Sequence, residues 1–351
     1  MRSASRLVLP LAFLAALACS SPGRPTGDTS VDRATLEMDA PMEVERDIVL
    51  AIHGGAGTIL REEMTAELDA AYRAELSAAL EAGYAVLAAG GTSLEAVEAA
   101  IRPLEDSPLF NAGRGAVLTD DGHVELDASV MTGHDRRAGA IAGARTPRHP
   151  ITAARAVMEW TSHVLLSGDG ADRFVAERAL QRMDPAWFVT PRRQQQLERM
   201  RAEDGGDEER KYGTVGCVAL DDEGRLAAGT STGGMARKAW GRIGDSPLIG
   251  AGTWADDATC AVSCTGHGEF FIRGVIAHQI HARMDFGGVD LPSAARATVL
   301  EALPEAGGSG GCVALGADGT LVAPFTTPGM YRGWVDRDGS VTVRIHGDER
   351  H

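Results

Sequence analysis

The stretch Gly213-Thr214-Val215-Gly216-Cys217-Val218-Ala219-Leu220-Asp221 holds the residue types best placed to do chemistry. Upstream, Arg192 to Lys211 is a polar segment crowded with Arg, Gln, Glu and Asp and broken by Gly205-Gly206. Downstream, a short apolar run ends in Asp221-Asp222-Glu223-Gly224, the pattern of a buried strand closing in a turn. Threonine is an ordinary strand residue, so Thr214 can simply open that strand. If the chain is cut between Gly213 and Thr214, however, the new terminus carries a hydroxyl nucleophile and its own amine base on one residue. An α-amine with a pKa of about 7.7–8.0 is partly neutral near neutral pH and can accept the hydroxyl proton.

Residues downstream fit that chemistry. Thr232 ends the next apolar run, so a hairpin would bring its hydroxyl beside that of Thr214. Arg242 and Asp245, in Gly241-Arg242-Ile243-Gly244-Asp245-Ser246-Pro247, suit a zwitterion: the guanidinium forks onto an α-carboxylate and the carboxylate takes an α-ammonium. Taken alone, the pair reads equally as a loop salt bridge. Thr265-Gly266-His267-Gly268 offers a hydroxyl and a backbone N–H for an oxyanion hole, or merely an N-cap. Other chemistries fit less well. Gly229-Thr230-Ser231-Thr232-Gly233 and Gly307-Gly308-Ser309-Gly310-Gly311 both match G-x-S-x-G, but neither has the strand–turn–helix context that a serine elbow requires. His123 and His134, near Asp127 and Asp135, lack the helical spacing of metal ligands. No glycine cluster is followed by Gly-Lys-Ser/Thr, so a phosphate loop is absent.

The positioning elements follow from periodicity. Ile48 to Ile52 predicts a strand running into His53-Gly54-Gly55-Ala56-Gly57. Arg61 to Ala89 predicts one helix, and a capping box at Thr92-Ser93-Leu94-Glu95 opens a second to about Leu104. Ser107 to Gly115 reads as a loop. Val117-Leu118, Glu125 to Met131 and Ala138 to Ala144 read as strands, then Ile151 to Trp160 and Ala171 to Met183 as helices. Beyond Thr214 come strands at Leu226 to Ser231 and Thr259 to Cys264, helices at Gly268 to Met284 and Pro292 to Leu303, and a terminal hairpin formed by Gly311 to Gly316 and Leu321 to Pro324. Strands and helices come in pairs within each half, which favours a layered sheet sandwich covered by helices over a doubly wound sheet.

The chain has 351 residues, 44% hydrophobic, enough for a large core. Its net charge of −15 argues against nucleic-acid binding. Arg2 and Arg6, the apolar Leu7 to Leu17 and the small residues ending at Cys19 read as a targeting leader over residues 1–18. Cys19-Ser20-Ser21-Pro22 resembles a bacterial lipoprotein signal, with Ala16 where leucine is usual, so ordinary secretory cleavage stays open. Either way the expectation is an exported protein, in the periplasm or lipid-anchored at the cell envelope. Residues 20–46 read as a disordered tether. Export would permit disulfides, but Cys217, Cys260, Cys264 and Cys312 each sit in an apolar run, which favours buried free thiols.

In order along the chain stand HGGAG (53–57), PLFNAGRGAV (108–117), ELDASVM (125–131), GTVGCVALD (213–221) and TSTGGM (230–235). GRIGDSPLIGAG (241–252), SCTGHGE (263–269) and GGSGG (307–311) follow. Together these resemble the plant-type asparaginase / isoaspartyl peptidase family of N-terminal nucleophile hydrolases. The resemblance implies an α+β fold, a four-layer αββα sandwich, made as a precursor that cuts itself before Thr214. It implies an α chain over residues 47–213, with 192–213 as linker, and a β chain over 214–351, assembled as a dimer of such heterodimers. By position Thr214 would be the nucleophile and Thr232 its hydroxyl partner. Arg242, Asp245 and Gly268 would hold substrate, Thr265 and Gly266 would form the oxyanion hole, and Asn111 would support the nucleophile. No cofactor is implied for the chemistry. Leu104, Glu105, Ser107, Phe110, Ala112 and Arg114 resemble a sodium loop of backbone carbonyls, with Arg114 where relatives commonly have an apolar residue. Expected substrates are asparagine and β-aspartyl peptides. Within enzymes the competitor is a glycosylasparaginase, against which HGGAG and GTVG weigh. A non-processing exported binding homologue is the alternative of another class.

Overall fold

The structure is a computed structural model that describes residues 49–203, 213–335, 339–347 and 349. The predicted leader, Cys19 and tether lie outside the described residues.

Strand β1 (Val49–Gly57) leads into helices α1 (Ala66–Ala88) and α2 (Ser93–Asp106), then β2 (Leu126–Thr132), β3 (Ala138–Ala144) and α3 (Pro150–Trp160). β4 (Leu165–Ser167), α4 (Gly168–Glu177), α5 (Pro185–Phe188) and α6 (Pro191–Ala202) complete the part before Thr214. After it come β5 (Val215–Leu220), β6 (Leu226–Thr232), β7 (Thr253–Ala255), β8 (Cys260–Gly266), α7 (Gly268–Gly274) and α8 (Ile276–Asp285). The chain ends with α9 (Leu291–Ala295), a π-helical turn to Ala302, α10 (Leu303–Glu305), β9 (Gly310–Gly316), β10 (Leu321–Val322), β11 (Gly329–Val335) and β12 (Val341–Arg344).

An eight-stranded sheet of order β12-β11-β1-β5-β6-β2-β3-β4 faces a four-stranded sheet of order β10-β9-β8-β7. Strand alternation divides the core into layers. On β1, Leu50 and Ile52 join Leu76, Leu80, Val97 and Ile101 under α1 and α2. Val49 and Ala51 point the other way, to meet Ala261, Val313 and Leu315 of the small sheet. The opposite face of that sheet, with Val262, Cys264 and Ala314, packs on Phe271, Ile280 and Val299. Strands apolar on both faces are what a sheet buried between two layers demands. The result is the αββα order expected, with Thr214 at the start of a strand central to the large sheet.

The hairpin that matters most, β5–β6, is pinned by Asp221. Its Oδ1 accepts the Arg225 N–H at 2.9 Å and its Oδ2 the Ser93 N–H at 3.0 Å, tying the turn to the first turn of α2. That turn is further fixed by the predicted capping box between Thr92 and Glu95.

Several expectations needed correction. Val117-Leu118 is not a strand: it has no partner strand, the Val117 N–H is donated to Asn111 Oδ1 at 2.8 Å and the Leu118 carbonyl accepts the Arg237 N–H at 2.9 Å. The segment from 192 is not wholly linker, since α6 occupies Pro191–Ala202 with Thr190 as N-cap and Arg193 buried against Gly115 O. The helix expected from Gly268 to Met284 breaks at Val275 (φ 48°, ψ 49°). There the Ala277 and His278 N–H groups are diverted to Ala251 O and Gly250 O. The hairpin formed by β9 and β10 is not terminal, because β11 and β12 follow and close the edge beside β1. The four described cysteines are free and buried, as expected.

Candidate active site

Antiparallel pairing sets Val215 opposite Ser231. One step beyond that register, Thr214 and Thr232 come together with their Oγ1 atoms 3.1 Å apart. Thr214 is only 6% exposed. The Gly213 carbonyl oxygen between them is surrounded by donors: Asn111 Nδ2 at 2.7 Å, Thr214 Oγ1 at 2.8 Å and Thr232 Oγ1 at 3.1 Å. Thr214 has one hydroxyl proton, so it serves either this oxygen or Thr232 at any moment. The Gly234 N–H donates to Thr232 Oγ1 at 3.0 Å, which leaves the Thr232 proton free to point at the carbonyl. Asn111 is itself oriented at both ends, since its Nδ2 also reaches Gly234 O at 2.7 Å and its Oδ1 takes the Val117 N–H.

Glycine is required beside this bond, but at Gly55 rather than Gly213. Gly55 has φ 113°, and a Cβ there would lie 3.0 Å from Gly213 Cα and 3.1 Å from Thr214 N. Gly213 itself does not have a positive φ, and a Cβ on it would meet only Asn111 Cβ at 3.2 Å. The HGGAG segment thus presses its backbone against the Gly213–Thr214 peptide.

Behind Thr214 runs a buried polar chain that the sequence did not disclose. His53 Nδ1 lies 3.0 Å from Thr214 O and His53 Nε2 lies 2.9 Å from Ser263 Oγ. Burial pushes the imidazole pKa down to about 3, against a smaller upward pull from the Thr214 hydrogen bond. The ring is therefore neutral, and because a carbonyl only accepts, Nδ1 carries the proton. Ser263 Oγ contacts Thr230 Oγ1 at 2.7 Å, Thr253 Oγ1 donates to Thr230 at 2.6 Å, and Ser129 Oγ lies 2.8 Å from Thr253 Oγ1 and 2.6 Å from Ser246 O. Every member is fully buried. The chain joins the carbonyl of Thr214 to the loop that carries Asp245.

The cavity on the other side is lined by Gly213, Thr214, Thr232, Gly234, Met235, Arg242, Gly244, Asp245, Ser246 and Gly266. Arg242 and Asp245 do not form the loop salt bridge that their spacing allows. Arg242 is gripped instead by Glu269, Nε to Oε1 and Nη2 to Oε2, both at 2.9 Å. Asp245 is 5% exposed and its Oδ2 has no hydrogen-bond partner. Burial raises its pKa to about 7; Arg242 opposes the shift, while Glu269 and Asp127 add to it. A carboxylate kept dry and unpaired in a cavity wall is a site for a cation. Gly268 permits the approach of both groups, since a Cβ there would lie 2.7 Å from Asp245 Oδ1 and 2.8 Å from Arg242 Nη2.

Gly266 (φ 151°) lines the cavity, whereas Thr265 does not; its Oγ1 accepts the Ala56 N–H at 3.2 Å and so fastens the HGGAG segment to β8. Glu269, His53 and Ser263 are the participants that sequence reasoning passed over. All three lie in motifs already singled out, HGGAG and SCTGHGE, so proximity to those motifs was the available signal. Ser231, of the serine-elbow pattern, lies inside β6 and donates to Glu105 Oε1 at 2.6 Å, outside the lining of the cavity beside Thr214. Asp127 faces inward, accepting the Gly143 N–H, and among the described residues no group of three or more His, Cys, Asp and Glu is placed to hold a metal.

At the suggested sodium loop, carbonyls press against two glycines. A Cβ at Gly113 would lie 2.2 Å from Glu105 O, and one at Gly115 2.0 Å from Phe110 O and 2.8 Å from Ser107 O. The Glu105 side chain faces the core through Ile151 N–H and Ser231, and Arg114 turns its guanidinium over the Trp187 ring at 5.1 Å, so neither side chain blocks those carbonyls. The Ala112 carbonyl accepts the Gly115 N–H.

Comparison with known proteins agrees with this arrangement. The asparaginase family profile matches residues 46–345. The chain is 50% identical over 310 residues to the isoaspartyl peptidase of Escherichia coli K12, covering 86% of this chain and 97% of that protein. It is 37% identical over 323 residues to a probable isoaspartyl peptidase/L-asparaginase 2 of Arabidopsis thaliana, covering 84% and 98%. Against the isoaspartyl peptidase/L-asparaginase of Rattus norvegicus it is 37% identical over 308 residues, covering 86% and 90%. A matched profile over most of the chain, and a site built around the same motifs, lead to one conclusion: this chain belongs to the plant-type asparaginase / isoaspartyl peptidase family of hydrolases.

Proposed function

We propose that the chain is an autoprocessing threonine hydrolase that cuts itself between Gly213 and Thr214 and then releases aspartate from L-asparagine and β-aspartyl peptides. The observation that carries the first half is the Gly213 carbonyl oxygen held by Asn111, Thr214 and Thr232. The Asn111 and Thr232 donors on that oxygen stabilise the charge it acquires when Thr214 Oγ1 attacks the carbonyl carbon. The C–N bond breaks, the hydroxyl proton passes to the departing Thr214 nitrogen, and an ester remains. Water hydrolyses the ester, leaving a carboxylate on Gly213 and a free amine on Thr214.

The second half uses the same hydroxyl with a new base. The amine takes the Oγ1 proton, Oγ1 attacks the side-chain carbonyl carbon of the substrate, and the amine returns the proton to the leaving ammonia or peptide amine. Water then frees aspartate from the ester. On this reading Asp245 takes the substrate ammonium, Arg242 its carboxylate and Gly266 the oxyanion, while Thr265, which lies outside the cavity lining, would reach the oxyanion only by turning its hydroxyl toward it. This chemistry requires no cofactor. Before the cut, the cavity holds about 10 Å³, room for roughly one water, which fits an inactive precursor.

On this reading residues 47–213 become the α chain and 214–351 the β chain, paired as a dimer of heterodimers. A sodium ion at the carbonyls of the 104–114 loop would stiffen it and supply no chemistry. Residues 1–18 direct export, with Cys19 as a lipid anchor; fatty-acid labelling that survives Cys19→Ser would refute the anchor. The function is tested by a denaturing gel and intact mass of the wild type beside Thr214→Ala. Two fragments, one starting at Thr214, are expected only for the wild type, followed by aspartate release from asparagine. A wild-type chain that stays whole would overturn the mechanism.

A further inference from the structure

A second cavity lies against the other side of Gly213, with a volume of about 130 Å³. Gly213 and Asn111 line it together with the glycines of HGGAG, and Gly213 also lines the cavity of Asp245 and Arg242. The residue before the cut is therefore the wall between the two. Leu68, Tyr72, Leu109 and Phe110 give the second cavity an apolar body, and Tyr331 stacks on Tyr72 with ring centroids 4.2 Å apart. A space of about this size suits a benzene-sized group. The charged lining is two arginines of the first turn of α6 and Glu63, which has an interaction of its own. Arg192 Nη2 donates to the Tyr72 hydroxyl at 3.0 Å. Arg193, 8% exposed, is held through Nε to Gly115 O and Nη1 to Gln196 Oε1, both neutral acceptors. Among the described residues no carboxylate pairs with either guanidinium; Arg192 is exposed, but Arg193 is buried, and a buried charge ordinarily finds such a partner.

We propose that this second cavity is the leaving-residue site of the mature enzyme: once the cut removes Gly213 from the wall, it receives the residue that follows the β-aspartyl linkage, an apolar side chain against Tyr72 and Tyr331 and its α-carboxylate on Arg192 and Arg193. The inference rests on the function proposed above and extends it to the substrate. The aspartyl part of a β-aspartyl dipeptide occupies the Asp245 side, its carbonyl carbon stands at Thr214 Oγ1, and the rest of the dipeptide continues across the position Gly213 vacates. Asparagine, which releases only ammonia, leaves the second cavity unused. The expected preference is for β-aspartyl dipeptides with an apolar second residue and a free carboxylate.

The test compares matured wild-type enzyme on L-asparagine, β-aspartyl-leucine and β-aspartyl-leucinamide, which lacks the carboxylate. A charge-assisted pair is expected to favour β-aspartyl-leucine over the amide by about tenfold in kcat/KM, mostly through KM. In Arg192→Gln and Arg193→Gln that ratio should fall toward one. Each ratio is internal to one enzyme preparation, so incomplete maturation or folding cancels. A wild-type ratio near one, or a ratio unchanged in both variants, overturns the site. Asparagine hydrolysed with both dipeptides refused overturns the site and the β-aspartyl half of the proposed function, while self-cleavage and asparagine hydrolysis stand. A cut enzyme that hydrolyses none of the three overturns both.

Discussion

Replacing Asp245 with Asn in an uncut Thr214→Ala background should stabilise the protein, and by more at pH 8 than at pH 5. Burial holds the Asp245 carboxyl at about 7, against an ordinary value of 3.8. The native state therefore retains a proton that the unfolded chain has lost between those values, and the stability linked to that proton disappears as pH rises from 3.8 through 7. At about 1.36 kcal/mol per unit, a shift of roughly three units costs the native state up to ~4 kcal/mol once both states are ionised. At pH 5, where the native carboxyl is still protonated, the cost is only ~2 kcal/mol on the same arithmetic. The asparagine amide does not titrate, but it can leave a buried donor unpaired at a cost of about 1–3 kcal/mol, which offsets part of the absolute gain. The clean quantity is consequently the change between pH values, on the order of 2 kcal/mol as a ceiling. Urea unfolding followed by tryptophan fluorescence, on parent and variant at both pH values, measures it. Equal differences at pH 5 and pH 8 would refute the claim that Asp245 sits uncompensated in its cavity.

The remaining predictions concern the scissile bond and its supports. Asn111→Ala removes the shortest donor to the Gly213 oxygen, and self-cleavage timed on gels should slow about 10²–10³-fold, the loss typical of one oxyanion donor. Gly55→Ala places a Cβ against Gly213 and Thr214 at φ 113°, so it should lower the melting temperature and leave most chains uncut; efficient cutting would show that the segment has room to yield. Ser263→Ala strands His53 Nε2 and breaks the hydroxyl chain, with an expected loss of about 1–3 kcal/mol by urea unfolding. Because burial keeps His53 neutral down to about pH 3, the pH profile of self-cleavage should show no limb near the usual imidazole value; a His53→Gln variant that abolishes such a limb would count against this.

The core of the site was legible because it depends on short-range pattern. Thr214 and Thr232 flank two apolar runs joined by an Asp-rich turn, so a hairpin alone brings their hydroxyls together. The capping box at Thr92 and Glu95 was legible for the same reason. What escaped depends on contacts far apart in sequence. Glu269 looks like a first-turn helix acid until it grips Arg242 across 27 residues. His53 and Ser263, 210 residues apart, have no sequence sign of their hydrogen bond. β11 hid because the charged Arg332 interrupts its apolar pattern, yet that side chain is buried over Phe325 with its guanidinium 4.9 Å from the ring. Val117-Leu118 had the apolar character of a strand, but without a partner strand its N–H went to Asn111.

The two proposed reactions share Thr214 Oγ1 and differ in what surrounds the carbonyl under attack. In the uncut chain the Thr214 nitrogen is an amide and can take no proton until the C–N bond weakens. The enzyme therefore begins without a base and relies on Asn111 and Thr232 to polarise one fixed carbonyl. A single fixed substrate makes that sufficient, because proximity replaces much of the missing base catalysis. Cutting then creates the amine base, removes the occupant of the attack position and opens the wall between the two cavities that Gly213 separates. Activation on this account is the exchange of an intramolecular carbonyl for an intermolecular one at the same oxygen nucleophile. It follows that Thr232→Ala, which loses a donor to the Gly213 oxygen and the neighbour of Thr214 Oγ1, should slow both self-cleavage and turnover. Asn111→Ala should slow chiefly the first. Comparing cut fraction with turnover per cut chain in the two variants separates those roles, and equal effects on both steps in Asn111→Ala would show that the carbonyl sites of the two reactions coincide.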